Sequence, residues 1–382
     1  MLPGAAGSLR LVADVIPFTR GVPSADLLPV DDLRAAAVAV FDGDAAAALA
    51  YAPGGYAPLR RWIGERHGVD PGRVLLVNGS LQGLDFLARH FFAGRGGGAA
   101  IVEEPTYDRT LTVLRAHGAR PVPVPLERDG PDVERLAEAL RSEDGVSFVY
   151  LIPTYQNPSG VCASLEKRHA VVDLAREHGV PVVEDDPYGL LRFEGEAVPT
   201  LHELDGGENV IYCSSFTKTI APGVRTGYLV LPDAMVAPFQ RLSTNTYIAP
   251  NTLAEAVVTA YCTAGRFEPN VARATARLRE RRDAMEEALR EHFPAGSAWL
   301  TPAGGYFFWV RLPEGVSSAG ALAAATEQGV PYVKGGDFSS AGGGDSTLRL
   351  AFSACSPGQI REGVERLGGV LVAERRLAPV PD

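Results

Sequence analysis

The chain is 382 residues long and poor in sulfur and histidine, with 4 cysteines, 3 methionines and 7 histidines. Cys162, Cys213, Cys262 and Cys355 stand far apart with no CxxC pair, so neither a zinc ribbon nor a disulfide framework is indicated; they read as reduced thiols. The histidines show no HExxH or related ligand spacing, so a metal hydrolase is not indicated and no metal is expected. No apolar run reaches the roughly 18 residues that a spanning helix needs. The start, MLPGAAGSLRLVADVIPF, lacks a basic region followed by a long apolar stretch. There is no Lys/Arg-rich run and the net charge is −10, which argues against nucleic acid or an anionic membrane as the main partner. The expectation is a soluble, cytoplasmic protein acting on small molecules.

The length suits one large α/β domain with a second lobe. Seven strand candidates, RVLLV, AAIVEE, RPVPVPL, SFVYLI, PVVEDD, NVIYCSS and TGYLVL, alternate with amphipathic helices such as LQGLDFLARHFF and LEKRHAVVDLAREHG. This pattern predicts a mostly parallel seven-stranded sheet with helices on both faces. A long charged helical pattern from Arg266 to Phe293, followed by WLTPAGGYFFWVRL and TLRLAFS, predicts a smaller α+β lobe. The expected division is an arm over residues 1–40, a large domain over 41–265 and a small one over 266–382. The run GRGGGA matches a dinucleotide-binding spacing at Gly94, Gly96 and Ala99, but it follows a helix and leads into a strand, the reverse of what that motif needs.

Five loops at strand ends carry chemistry. NGSLQG, after RVLLV, places the amides of Gly79 and Ser80 at a helix start, a seat for phosphate; the same residues also suit a plain helix start capped by Ser80. Tyr107 in EEPTYDR stands at the carboxyl edge of the sheet, where ligands of open α/β folds bind, and a flat ring there stacks on a flat cofactor or simply packs. Asn157 in PTYQNPSG is held extended by Pro158 and suits donation to an anionic oxygen, or an ordinary turn. Glu184, Asp185 and Asp186 end an apolar strand, where buried charge demands a cation; a protonated ring nitrogen on Asp185, a solvated acidic loop and a magnesium pair all fit. Lys218 follows Ser214, Ser215 and Thr217 and precedes Arg225, a setting that favours a neutral amine for Schiff-base formation beside a phosphate site; an exposed surface lysine is the plainer reading. In the smaller lobe, Arg349 lies inside TLRLAFS, where its fork matches a substrate carboxylate or a structural acid.

Taken in order, LAYAPGGYAPLR, VNGSLQGLD, VEEPTYDR, LIPTYQNPSG, VVEDDPYG, SSFTKTIAPGVRTGYL, PAGGYFFWV and TLRLAFS resemble class I/II aminotransferases of the pyridoxal-phosphate fold type I. The likeness runs from about Phe18 to the last strand and is nearest the branch of 2-aminoadipate and broad-range aminotransferases. The resemblance implies pyridoxal 5'-phosphate as cofactor and ping-pong exchange of an amino group between an L-amino acid and a 2-oxo acid. It implies that Lys218 bonds the cofactor and then shuttles the proton. Asp185 pairs with the ring nitrogen, Asn157 and Tyr188 with the ring oxygen, and Tyr107 stacks. Gly79, Ser80, Gln82, Ser215, Thr217 and Arg225 hold the phosphate, joined by Tyr51 from the neighbouring subunit of a homodimer. Arg349 takes the substrate α-carboxylate.

Two residues depart from the family pattern. Arg20 in FTRGVPS stands where a small residue is usual near the substrate, and suits an acidic side chain or a surface ion pair. Lys334 in VKGGDFS replaces a common proline. Elimination, decarboxylation or oxidation on the same scaffold is the alternative chemistry. A regulator of the type with an N-terminal winged helix is disfavoured, because only about seventeen residues precede Phe18.

Overall fold

The computed structural model describes residues 14–94 and 96–377. The β-branched runs form strands β1 Val74–Val77, β2 Gly98–Glu104, β3 Ala119–Glu127, β5 Val146–Leu151, β6 Val182–Asp185, β7 Val210–Ser215 and β8 Gly227–Val230, with a short β4 at Gly130–Pro131. Their order across the sheet is β1-β8-β7-β6-β5-β2-β3-β4. The sheet therefore has eight strands and is mixed, where seven mostly parallel ones were expected.

Two local causes account for the difference. β3 folds straight back onto the Gly130–Pro131 pair, too short to carry a side-chain pattern. β8 is antiparallel to both β7 and β1, because residues 216–226 are a loop shorter than the crossover of about a dozen residues, usually with a helix, that a parallel return needs. The central strands β3, β2, β5, β6 and β7 pair in parallel.

Alternate residues of each strand feed opposite cores, as a period of two requires. Ala100, Val102, Phe148 and Val183 pack on one face with helices Ser80–Phe92 and Asp108–Ala116. Ala99, Ile101, Val149 and Val182 pack on the other with helices Val133–Ser142 and Leu165–His178. The second of these starts where Ser164 accepts from the Lys167 amide at 3.3 Å, a side-chain cap.

The second sheet is antiparallel throughout: β9 Ala298–Trp299, β10 Phe307–Arg311, β11 Val333–Lys334 and β12 Thr347–Ala351, in the order β11-β12-β10-β9. Phe308, Leu348 and Leu350 share its core with Leu278 and Met285 of helix Phe267–His292 and with Ile360 and Leu367 of helix Pro357–Leu377. Ile16 and Phe18 are buried in the same core. The Phe18 amide donates to Pro331 O at 3.0 Å and its carbonyl accepts from Ala351 N at 2.9 Å. This part of the arm thus lies on the smaller sheet. Val30–Asp42 is an α-helix whose Ala36 and Val40 pack with the larger sheet's helices, and Pro29 is its N-cap. Residues 1–13 of the expected arm lie outside the described residues.

Candidate active site

The reversal of β8 brings the site together. Because β1 and β7 both run antiparallel to β8, their carboxyl ends fall at one edge, and Gly227 stands in register with both Val77 and Ser215. Only glycine fits there, since a Cβ would lie 2.5 Å from the Ser80 amide nitrogen. Gly79, at φ +92°, is the N-cap of helix Ser80–Phe92, and a Cβ on it would sit 2.3 Å from Arg225 Nη2. Gly79 rather than Ser80 therefore takes the cap position. The Arg225 guanidinium is anchored by a 3.0 Å bond from Nη2 to Asn78 O. A helix N-terminus, a guanidinium and the nearby Ser215 and Thr217 form an anion seat.

The acidic triplet at the end of β6 divides three ways. Glu184 points to the far face, where it accepts from the Leu201 and His202 amides at 3.0 and 2.9 Å and lies 3.8 Å from the Arg168 guanidinium. Asp186 accepts from Tyr212 Oη at 2.9 Å and from Gly189 N at 2.7 Å. Asp185 accepts from Tyr150 Oη at 2.6 Å through Oδ2, while its buried Oδ1 has no partner among the described residues. Burial pushes the Asp185 carboxyl up to about 6. The triplet is neither a solvated loop nor a pair of carboxylates facing one ion.

Lys218 follows β7 and donates from Nζ to the carbonyl of Gly21 on the arm. Its ammonium lies 5.8 and 5.3 Å from the ring centres of Tyr188 and Tyr306. Burial, then the nearby charge of Arg349, lowers its pKa to about 8, against an opposing pull from Asp185. At neutral pH a substantial neutral fraction is within reach of a modest change in environment.

Arg349 is buried on β12, with its guanidinium 4.2 and 4.8 Å from the ring centres of Phe307 and Phe338. Nη1 donates to Asn157 Oδ1 at 2.8 Å, Nη2 to Thr19 O at 2.7 Å, and Nε has no partner among the described residues.

Two cavities meet at these groups. One, of about 210 Å³, runs from Gly79, Ser80 and Arg225 past Ser215, Thr217 and Lys218 to Asp185. The other, of about 460 Å³, is lined by Thr19, Arg20, Gly21, Phe307 and Arg349. Tyr107, Asn157, Tyr188 and Lys218 wall both. Tyr107 heads helix Asp108–Ala116, and burial raises its hydroxyl to about 12.

Two of the expected residues line neither cavity of this chain. Gln82 lines neither cavity; its Oε1 accepts from the Asn78 amide at 2.8 Å and so braces the loop before Gly79. Tyr51 is 77% exposed on the surface. The sequence did not single out Tyr150, Glu103, Tyr306 or the Phe307–Phe338 pair. A tyrosine and a glutamate inside apolar strands are the signals available, since each buried polar group must find a partner.

Among the described residues, no group of three or more His, Cys, Asp or Glu side chains is arranged to hold a metal ion, and no helix is long and apolar enough to cross a membrane. The sequence profile of aminotransferase class I and II matches residues 13–367. The chain is 35% identical to a 2-aminoadipate transaminase from Thermus thermophilus, over 94% of this chain and 90% of that one. It is 33% identical to aromatic-amino-acid aminotransferase 1 of Thermococcus litoralis, over 96% and 91%. The solved α-aminoadipate aminotransferase of T. thermophilus, complexed with N-(5'-phosphopyridoxyl)-L-leucine, superposes with a TM-score of 0.91 at 34% identity, covering 95% of this chain and 94% of that one.

Proposed function

The chain belongs to the aminotransferase class I and II family, and from that membership we propose how its residues exchange an amino group between an L-amino acid and a 2-oxo acid. It is a pyridoxal-phosphate-dependent aminotransferase of fold type I. The cavity suits that cofactor at three points: the anion seat at Gly79, Ser80 and Arg225, the unpartnered Oδ1 of Asp185, and the amine of Lys218 between them. When bound, pyridoxal phosphate supplies an aldehyde for amines and an electron-withdrawing ring.

The observation that carries the assignment of roles is the pairing of a depressed lysine, at about 8, with a buried carboxylate oxygen that lacks a partner. Asp185 is kept ionisable by the Tyr150 hydroxyl and would hold a protonated ring nitrogen. Lys218 Nζ, once neutral, takes the proton from the substrate α-carbon and returns it. Tyr107 and Tyr188 wall the cavity and exclude water from that proton. Arg349, its guanidinium 4.2 and 4.8 Å from the Phe307 and Phe338 ring centres and lining the second cavity, orients the substrate through its α-carboxylate.

We also propose the division into an arm, a large domain over 41–265 and a small one over 266–382, supported by the two sheets and their separate cores. A homodimer is the proposed assembly. The exposure of Tyr51 supports a role in a neighbour's phosphate seat. Four free cysteines support work in the reducing cytoplasm.

The test is a single turnover of the cofactor-loaded protein with an amino acid, followed by assay of 2-oxo acid. One equivalent of oxo acid per site, and catalysis only with a 2-oxo acid acceptor, is the expected result. Ammonia or carbon dioxide released without an acceptor would move the chain to a lyase or decarboxylase.

A further inference from the structure

We propose that Arg20 forms a second carboxylate subsite at the mouth of the reaction cavity, so that the preferred donors are α-amino acids ending in a distal carboxylate. The proposal rests on the aminotransferase reading above. Its first support is position. Thr19 O accepts from Arg349 and Gly21 O accepts from Lys218, so Arg20 is bracketed by the residues that touch the α-carboxylate arginine and the reactive amine. Arg20 lines the same cavity of about 460 Å³ that Lys218 and Arg349 line.

The second support is the charge balance at that mouth. Asp108 and Asp337 are the acids in the cavity wall. Asp108 lies 3.5 Å from Arg109 Nε, and Asp337 lies 3.5 Å from Lys334 Nζ. Each acid thus has its own cation, and Lys334, the other departure from the family pattern, is spent on Asp337. Arg20 is exposed and has no acid partner among the described residues. With Arg349 reserved for the α-carboxylate, a substrate carrying one carboxylate leaves Arg20 unmatched, whereas a dicarboxylic substrate satisfies both guanidinium forks. Phe307 and Val333 in the same wall give the methylenes between the two carboxylates an apolar surface, so an apolar donor is tolerated but gains nothing from Arg20.

The experiment compares the cofactor-loaded wild type with Arg20→Ala and Arg20→Lys, using glutamate and leucine as donors and glutarate and butyrate as non-reacting ligands. Arg20→Ala is expected to lower kcat/KM for glutamate at least about tenfold, the worth of one charge-assisted hydrogen bond, chiefly through KM. Leucine should change less than about twofold, because a mouth residue that merely held the fold would affect both donors. Arg20→Lys should retain part of the glutamate preference, and glutarate affinity should fall in Arg20→Ala while butyrate affinity stays. Turnover with an unchanged glutamate-to-leucine ratio, or unchanged glutarate binding, overturns the subsite. Absence of oxo acid from any donor in the wild type would instead strike the aminotransferase reading, and glutarate binding would still decide the role of Arg20.

Discussion

Arg349 donates from Nη1 to Asn157 Oδ1 at 2.8 Å, a bond that joins a strand of the smaller sheet to a loop at the edge of the larger one. The loop is itself braced from below. Gln156 Nε2 donates to Glu103 Oε2 at 3.1 Å and to Pro105 O at 2.8 Å, and the Ile152 amide donates to the same carboxylate at 3.1 Å. Arg349 and Asn157 are therefore positioned by one continuous network. Displacing either displaces the other.

Replacing Arg349 with Gln should disturb the amine as well as substrate binding. The guanidinium disfavours the charged form of Lys218, so its removal raises the lysine pKa above about 8. Capture of an aldehyde by the apoprotein, followed against pH, should rise through about 8 in the wild type and at a higher pH in Arg349→Gln. Coincident profiles would show that the two residues are not electrostatically coupled.

Lys218→Ala should cut amino-group transfer by about a hundredfold to ten-thousandfold or more, the range for loss of a positioned acid–base group. Its melting midpoint should change little, because removal of a desolvated cation offsets the lost bond to Gly21 O. Circular dichroism with single-turnover assays checks both halves.

Gly79→Ala should weaken the phosphate seat. The new methyl meets Arg225 Nη2 at 2.3 Å and forces a side chain into φ +92°. Titration of the apoprotein with inorganic phosphate or pyridoxal phosphate should give affinities lower by about tenfold, matching the loss of one charge-assisted contact.

Glu103→Gln tests the buried brace. Burial raises the Glu103 carboxyl from 4.5 to about 7, so the folded protein prefers it protonated. The stability this lends is full below about 4.5 and is lost as pH rises through about 7. Glutamine has no proton to lose. Its melting midpoint should equal the wild type's near pH 4.5 and exceed it by a few degrees at pH 8, as scanning calorimetry of the two apoproteins would measure.

What the sequence made legible follows from what each signal encodes. The seven strand candidates all form because β-branched runs report burial on both faces. A period of two carries no direction, so the reversal of β8 was invisible, although it is what brings Arg225 beside Gly79. Helix Val30–Asp42 fell inside the stretch expected to be an arm. In the site, Lys218, Asp185, Tyr107, Asn157, Tyr188 and Arg225 stood out because each lies in or beside a loop at a sheet edge. Tyr150 escaped notice because its partner is 35 residues away on the adjacent strand. Gln82 had the right neighbours, yet its side chain serves the backbone.

The bond from Arg349 to Thr19 O spans 330 residues of chain. During synthesis the arm leaves the ribosome 330 residues before its counterpart strand, a delay of tens of seconds at about 5–20 residues per second. Through that interval Phe18 has no core to enter, and the carbonyl that will receive Arg349 faces water. The larger sheet is complete before that strand emerges, so a nascent chain holds the loops around Lys218 and Arg225 finished while Arg349 is still to come.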